Sequence, residues 1–293
     1  MVGLLFPGQG SQKIGMGREL YKKLTAAREL LDSACEILGY NLREIMFSGA
    51  EDKLTDTAVA QPAIFTCNAM YLEKLRADGV EYGVVAGHSL GEYNALLAAG
   101  VFSFETGLRL VAARGKAMGG MNGRGTMAAV MGLLEEELQP LLDPDVVIAN
   151  LNSRTQIVIS GTKDGVERVC RKLEAGFDAD SGIKAKELHV SAAFHSPQMA
   201  TAAGEMRSIL EEAPFYPPVC AVVPNVTGKP TTDINEIRQC LTEQITGQVR
   251  WADSILAMKE YGADLLYEVG YGDVLKKLNK TITFRPKCVG VEV

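Results

Sequence analysis

Residues 84–91 have the sequence Val84-Val85-Ala86-Gly87-His88-Ser89-Leu90-Gly91, an apolar run followed at once by a serine between two glycines. The apolar run has the length of a buried strand, and residues 92–99 have a helical pattern closed by Gly100. The glycines and serine match G-x-S-x-G, in which a sharp strand-to-helix turn projects the serine hydroxyl above a sheet. The motif also occurs by chance in ordinary turns. Its strand and helix context favours Ser89 as a nucleophile.

The alternation of strands and helices continues outward from this stretch. Residues 2–6 are predicted to form a short buried strand that ends at a Pro-Gly loop. Helices are predicted at residues 16–38, 41–47, 61–78, 92–99 and 104–118. Such alternation is typical of an α/β fold with a largely parallel sheet. A nucleophile on a strand-to-helix turn makes the expected large domain α/β-hydrolase-like.

A second, smaller unit is predicted in the middle of the chain. Four glycines between residues 119 and 125 indicate a boundary. The following segment is predicted as strand 126–132, helix 134–142, strands 146–151 and 155–160, helix 163–176 and strand 183–190. This β-α-β-β-α-β order is the ferredoxin-like signature. We therefore expect a large α/β catalytic domain of residues 1–124 and 192–293, with a ferredoxin-like subdomain, 125–191, inserted in it.

Composition excludes several classes of function. The net charge is −6 and the pI is near 5.3, whereas nucleic-acid binding needs clustered Lys and Arg. The six cysteines show no C-x-x-C spacing, so neither a metal site nor a disulfide framework is predicted. No apolar run reaches membrane-spanning length, and the N-terminus lacks a signal-peptide pattern. We expect a cytoplasmic protein that binds neither nucleic acid nor membranes.

A serine hydroxyl is a weak nucleophile and needs a base within hydrogen-bond reach. The chain has three histidines. His88 adjoins the serine and is expected to point away from it, and His189 lies in an alternating strand pattern that is typical of a structural role. His195, in a loop just past the predicted subdomain, is the best candidate by elimination. No acid stands out as its partner, so a Ser-His dyad oriented by a neutral acceptor is expected.

Four motifs carry a resemblance to a known family over essentially the whole chain. They are Phe6-Pro7-Gly8-Gln9-Gly10-Ser11-Gln12, Gly87-His88-Ser89-Leu90-Gly91-Glu92, Ala193-Phe194-His195-Ser196 and Asn225-Val226-Thr227-Gly228. In sequence, order and spacing they resemble the malonyl-CoA:acyl-carrier-protein transacylases. The sequences of residues 148–153 and 190–195 are most similar to those of the free-standing acyltransferases that serve polyketide synthases in trans. The fatty-acid enzyme is also similar, so the resemblance leaves the pathway open.

The resemblance implies roles for the reacting residues. Ser89 would take the acyl group and His195 would be its general base. Gln9 and the Leu90 backbone N–H would line the oxyanion hole, where donors are aimed at developing charge. Gln244 matches the position whose main-chain carbonyl orients the histidine in similar enzymes.

The resemblance also implies a substrate pocket. Gln61 falls where the family has a pocket glutamine, and Arg114 falls at the arginine that binds the malonyl carboxylate. Most arginines are solvated on helix surfaces, but a planar guanidinium can bind a carboxylate with two parallel hydrogen bonds. Phe194 would crowd the α-carbon of the acyl group, which favours malonyl over methylmalonyl.

The implied reaction is ping-pong transfer from malonyl-CoA to the phosphopantetheine thiol of an acyl carrier protein, without a metal or another cofactor. A monomer is expected. Two alternatives are a thioester hydrolase on the same scaffold and a non-catalytic docking subunit. Acyl chains on a hydrolase would lack a free carboxylate, so Arg114 argues against the first. A docking subunit should have lost Ser89, His195 or Gln9, and the chain retains all three.

Overall fold

A computed structural model describes residues 1–177, 181–188, 190 and 192–293 of the chain. The strands are β1 Val2–Phe6, β2 Val84–Gly87, β3 Thr126–Met131, β4 Val146–Ser153, β5 Gln156–Gly161, β6 Lys184–Glu187, β7 Ala221–Val223, β8 Leu265–Glu268 and β9 Lys287–Gly290. The helices of the first half are α1 Arg18–Lys23, α2 Thr25–Leu38, α3 Leu42–Ser48, α4 Glu51–Thr55, α5 Thr57–Ala77, α6 Gly91–Ala98 and α7 Phe104–Gly119. Those of the second half are α8 Glu135–Leu138, α9 Lys163–Gly176, α10 Ala200–Glu212, α11 Ile234–Glu243, α12 Trp251–Glu260 and α13 Val274–Asn279. Short 3-10 turns lie at Gln139–Leu141 and Pro197–Met199.

The larger sheet has five strands in the order β7-β2-β1-β8-β9, and each neighbouring pair is parallel. Phe6 at the end of β1 is paired with Gly87 at the end of β2. The carboxyl ends of parallel strands meet at one edge of a sheet, where open α/β folds bind their ligands. The loops after β1 and β2 therefore lie side by side.

The smaller sheet has the order β4-β5-β3-β6, and its neighbouring strands are antiparallel. Its elements follow the chain order β-α-β-β-α-β, as the sequence predicts. The predicted α/β fold, a parallel sheet with a smaller inserted sheet, is confirmed. Backbone bonds tie β4 of the smaller sheet to the segment just before α12, because Leu151 N donates to Val249 O and Val249 N donates to Ala149 O, at 2.9 and 2.8 Å.

Most predicted boundaries agree with the structure within two residues, and four predicted elements differ more clearly. The helix expected at 16–38 is two helices, since Leu24 between them has an extended backbone. The helix expected at 61–78 begins at Thr57, because the Asp56 side chain caps it by accepting from Ala58 N, and a proline is accommodated inside it. The helix expected at 134–142 is α8 followed by a 3-10 turn. The last strand of the small sheet is shorter than expected and ends at Glu187.

Helix α6 is buried on every side. All eight of its residues are buried, including Glu92 and Asn94. An amphipathic surface helix would expose one polar face, so α6 is instead a central element packed against β1, β2, α5 and α7. Ser89 lies two residues before the start of this helix. Among the residues that the structure describes, no helix is long and apolar enough to cross a membrane.

Candidate active site

Ser89 lies on a tight turn that requires glycine at positions 87 and 91. Its φ is 51°, in the left-handed region that non-glycine residues rarely adopt. A Cβ added at Gly87 would lie 1.9 Å from the Gly91 carbonyl carbon, and one at Gly91 would lie 2.0 Å from the Phe6 oxygen. Such contacts are far below van der Waals distance, so both positions require glycine. The turn has the geometry that the G-x-S-x-G motif predicts.

Asn225 braces this turn from a distant part of the chain. Its Oδ1 accepts a hydrogen bond from Ser89 N, and its Nδ2 donates to Gly87 O, both at 2.7 Å. One side chain thus holds the backbone on both sides of His88. The two bonds help offset the strain of the positive φ at Ser89.

Ser89, His195 and Gln244 are connected in this order by two hydrogen bonds. Ser89 Oγ lies 2.8 Å from His195 Nε2, and His195 Nδ1 lies 2.9 Å from the Gln244 main-chain oxygen. A carbonyl oxygen can only accept, so Nδ1 carries the proton and Nε2 is free to accept from the serine hydroxyl. This is the arrangement of nucleophile, base and orienting group that acyl transfer needs.

The protonation state of His195 suits a base. The side chain is 4% exposed. Burial, with the nearby Arg114 charge as a second cause, lowers the pKa of His195 to about 3. The imidazole is therefore neutral at physiological pH. No carboxylate is within hydrogen-bond distance of this ring in the described part of the chain, where a neutral carbonyl takes the orienting position.

Arg114 is a buried cation aimed at the nucleophile. It is 1% exposed, and its Nη2 donates to Ser89 Oγ at 3.2 Å and to Gln244 Oε1 at 3.0 Å. Its Nη1 donates to Gln61 Oε1 at 2.7 Å. These acceptors are all neutral, and burial lowers the arginine pKa. Its Nε has no hydrogen-bond partner among the described residues. A charge so placed fits a ligand that brings a negative charge.

The loop after β1 lies against the serine turn. A Cβ added at Gly8 would lie 2.4 Å from His88 O and 3.5 Å from the Leu90 backbone nitrogen. Within the described ranges, neither the Leu90 nor the Gln9 backbone N–H donates a hydrogen bond. Leu90 is also the N-cap of α6, where the helix dipole favours negative charge. The Gln9 side chain is exposed and donates to Thr57 Oγ1 at 3.4 Å.

The remaining predicted residues lie close to this cluster. Gln61 is completely buried and contacts Arg114 and Met118, so it supports the arginine directly. Phe194 is 7% exposed and immediately precedes the histidine. His88 bonds to Asn152 and not to Ser89 among the described residues, because its Nε2 lies 2.9 Å from Asn152 Oδ1. The prediction for His189 lies outside the described residues.

A cleft of about 580 Å³ opens beside the serine turn. Its walls include Gln9, His88 and Asn152, together with Lys13 and Lys277. It therefore joins the β1 loop, the serine turn and the small sheet. A cleft of this volume at the carboxyl edge of the parallel sheet is large enough for an elongated ligand.

Sequence reasoning missed two buried residues of the site. Glu92 accepts hydrogen bonds from Asn225 N at 3.0 Å and Gln244 Nε2 at 2.8 Å. The Gln244 Nε2 also donates to Ser89 O at 2.9 Å. Glu92 is the one charged residue of the predicted helix 92–99, and that was a signal for its role. Asn225 lies in one of the four family motifs, but the motif gave it no role.

Comparisons with known proteins agree with this geometry. The family described as "Acyl transferase domain" matches residues 4–270. The polyketide biosynthesis malonyl CoA-acyl carrier protein transacylase PksC of Bacillus subtilis (strain 168) is 44% identical over 283 residues, which are 95% of this chain and 96% of that protein. The malonyl CoA-acyl carrier protein transacylase of the same organism is 39% identical over 299 residues, covering 99% and 93%.

Solved structures are similar along the whole chain. The acyl-carrier-protein S-malonyltransferase of Bartonella henselae has a TM-score of 0.94 at 36% identity, and the match covers 100% of this chain and 95% of that one. The malonyl-CoA:ACP transacylase of Synechocystis sp. PCC 6803 has a TM-score of 0.91 at 38% identity, with 99% and 96% covered. The chain therefore belongs to the acyl transferase domain family and, within it, to the malonyl-CoA:acyl-carrier-protein transacylases.

Proposed function

We propose that the chain transfers a malonyl group from malonyl-CoA to the phosphopantetheine thiol of an acyl carrier protein, through an ester on Ser89. One observation carries the proposal. Ser89 Oγ lies within hydrogen-bond distance of both a neutral imidazole and a buried guanidinium, at 2.8 and 3.2 Å. The imidazole can take a proton, and the guanidinium can hold a carboxylate beside the reacting atom.

The first half-reaction forms the acyl-enzyme. His195 Nε2 takes the Ser89 proton as Oγ attacks the thioester carbonyl carbon, and the negative charge develops on the carbonyl oxygen. The Leu90 and Gln9 backbone N–H groups supply the oxyanion hole in this proposal, because Leu90 lies at the serine turn, Gln9 lies in the β1 loop packed against that turn, and neither N–H donates to another of the described residues. The carbon–sulfur bond then breaks, the imidazolium returns its proton to the sulfur, and CoA leaves.

The second half-reaction reverses the first with a different thiol. The carrier protein's phosphopantetheine thiol gives its proton to His195 and attacks the serine ester. The tetrahedral intermediate collapses, the ester C–O bond breaks, and Ser89 recovers its proton from the imidazolium. The nucleophile, the base and the oxyanion donors all belong to the chain itself, so the proposal includes no metal or other cofactor.

Arg114 and Phe194 select the acyl group in this proposal. The guanidinium binds the free carboxylate of malonyl, whereas an acetyl group would leave the buried cation without an anionic partner. Phe194 precedes the base and limits the space at the α-carbon. We infer a preference for malonyl over methylmalonyl.

The relatives support a role in polyketide synthesis. PksC, named as a polyketide biosynthesis transacylase, is 44% identical, and the general transacylase of the same organism is 39% identical. A related structure, with TM-score 0.92 and 33% identity, is titled a type II PKS acyl-carrier protein in complex with its malonyl-transacylase. We infer a monomeric, cytoplasmic enzyme that acts in trans and whose partner is an acyl carrier protein.

Mass spectrometry of the intact protein tests the proposal. Mixing with malonyl-CoA for seconds should add one malonyl group to the parent and none to Ser89→Ala, and a phosphopantetheinylated carrier protein should remove it. Adducts formed from acetyl-CoA and longer acyl-CoA that are lost rapidly to water would instead indicate a thioester hydrolase. If no thioester forms an adduct, both the transferase and the hydrolase hypotheses are refuted.

A further inference from the structure

Glu92 is a buried carboxylate that the proposed reaction does not use. It is 1% exposed and lies three residues after Ser89 on α6. Its Oε2 accepts from Gln244 Nε2 and from the Asn225 backbone nitrogen, while its Oε1 has no partner among the described residues. Buried acids are rare unless paired. Among the described residues, the full positive charge that acts on this acid is Arg114, with which it makes no direct hydrogen bond.

The Gln244 amide connects the two charges. Its Nε2 donates to Glu92, and its Oε1 accepts from Arg114 Nη2 at 3.0 Å. An ionised carboxylate can only accept and a guanidinium can only donate. The reversed amide would place its N–H groups against the guanidinium and its oxygen against the carboxylate. Glu92 and Arg114 therefore permit one amide orientation, which the Ser89 carbonyl also favours by accepting from Nε2.

We propose that Glu92 is a positioning residue for acyl-group selection. It acts through the Gln244 amide, which holds Arg114 in place. Its negative charge compensates the charge of Arg114 without taking up the hydrogen-bond donors of the guanidinium. The inference rests on the proposed function, because it assumes that Arg114 binds the malonyl carboxylate. A direct Glu–Arg ion pair would occupy the guanidinium edge and compete with the substrate. Relay through an amide leaves Arg114 Nε without a protein partner in the described residues.

The charge of Glu92 depends on its surroundings. Burial raises its pKa to about 7, while hydrogen bonds from Gln244 and Asn225 and the charge of Arg114 act in the opposite direction. Among the described residues, Tyr93 and Cys240 are further titratable groups near it. Assays at pH 8 keep the carboxylate ionised.

Glu92→Gln tests the relay. A glutamine can donate or accept, so it no longer enforces the orientation of the Gln244 amide, and it removes the compensating charge. We expect the ratio of malonyl to acetyl acylation rates to fall about 10- to 100-fold at pH 8, with most of the loss in KM for malonyl-CoA. The His195 contact uses the Gln244 main chain and stays. Glu105→Gln, at an exposed acid paired with Arg109 on α7, is the matched control and should leave the ratio unchanged.

Gln244→Leu gives a second test that does not depend on how Glu92→Gln folds. It removes the amide but keeps the main-chain carbonyl at His195, and it should lower the same ratio. Equal loss of malonyl and acetyl acylation in both variants, or an unchanged ratio, overturns the inference while the parent's adduct still supports the proposed function. A parent that forms no malonyl adduct overturns the proposed function, and the inference with it.

Discussion

Arg114→Ala gives the most direct test of acyl-group selection. The guanidinium is 1% exposed, and its hydrogen-bond acceptors among the described residues are all neutral, at 2.7 to 3.2 Å. A charge-assisted, two-point pair with a carboxylate in such a desolvated place contributes roughly 3–4 kcal/mol. Each 1.36 kcal/mol is a factor of ten in rate. We therefore expect kcat/KM for malonyl-CoA to fall about 10²- to 10³-fold. Arg114→Lys keeps the charge but loses the two-point geometry, and should recover only part of the loss.

The assay is single-turnover acylation of Ser89, followed by intact mass, with malonyl-CoA and acetyl-CoA in parallel. Acetyl has no carboxylate, so its rate should fall far less than the malonyl rate in Arg114→Ala. Arg109→Ala is the matched control, because Arg109 lies on the same helix with its side chain 61% exposed and pairs only with Glu105 among the described residues. An exposed pair of this kind contributes little. The control should acylate like the parent.

Equal losses for the two thioesters would refute the reasoning. Such a result would mean that Arg114 maintains the serine turn, through Gln61 and Gln244, without recognising the acyl group. Thermal unfolding of each variant separates this outcome from general instability. A malonyl rate that survives Arg114→Ala within threefold would likewise remove the carboxylate-binding role.

Three further predictions concern the turn, the base and the pocket. Gly87→Ala should destabilise the fold by more than about 3 kcal/mol in urea unfolding, because its Cβ would lie 1.9 Å from the Gly91 backbone, whereas Gly176→Ala meets open space and should not. The pKa of His195 is lowered in the folded protein, so only the unfolded state takes up this proton as pH falls below 6.5, and stability is lost. Between pH 6.5 and 5 the parent should therefore lose about 2 kcal/mol more than His195→Asn, and equal slopes would contradict the burial of a neutral imidazole. Phe194→Ala should raise the rate of methylmalonyl acylation relative to malonyl about tenfold, measured by adduct mass, and an unchanged ratio would refute its steric role.

Local sequence signals predicted the parts of the site that depend on neighbouring residues. The serine turn is specified within residues 84–91, because an apolar strand, two obligatory glycines and a helix start follow one another directly. The β-α-β-β-α-β order was also readable, since each element carries its own periodicity. Boundaries were less certain where two signals compete. Pro62 suggested a helix start, but the Asp56 cap begins the helix earlier.

Contacts between distant residues could not be derived from local patterns. Gln244 lies 155 residues from Ser89, and Asn225 lies 136 residues from it. Both occur in the last third of the chain, where periodicity assigns no partner in the first third. The resemblance supplied a role for the Gln244 main chain but none for its side chain. The Gln244 amide and its contact with Glu92 emerge only when α6, α7 and the segment after α11 are packed together.

The absence of an acid beside His195 in the described structure has a physical reason in this site. The residue that orients the imidazole, Gln244, also contacts Arg114 Nη2 through its side chain. A carboxylate in place of the neutral carbonyl would add a negative charge to the site in which Arg114 acts on His195, and it would repel the carboxylate of the malonyl group that we propose binds there. A neutral acceptor orients the base without these penalties. Glu92 is separated from the cation by the Gln244 amide, so its charge supports Arg114 while Arg114 Nε keeps no hydrogen-bond partner among the described residues.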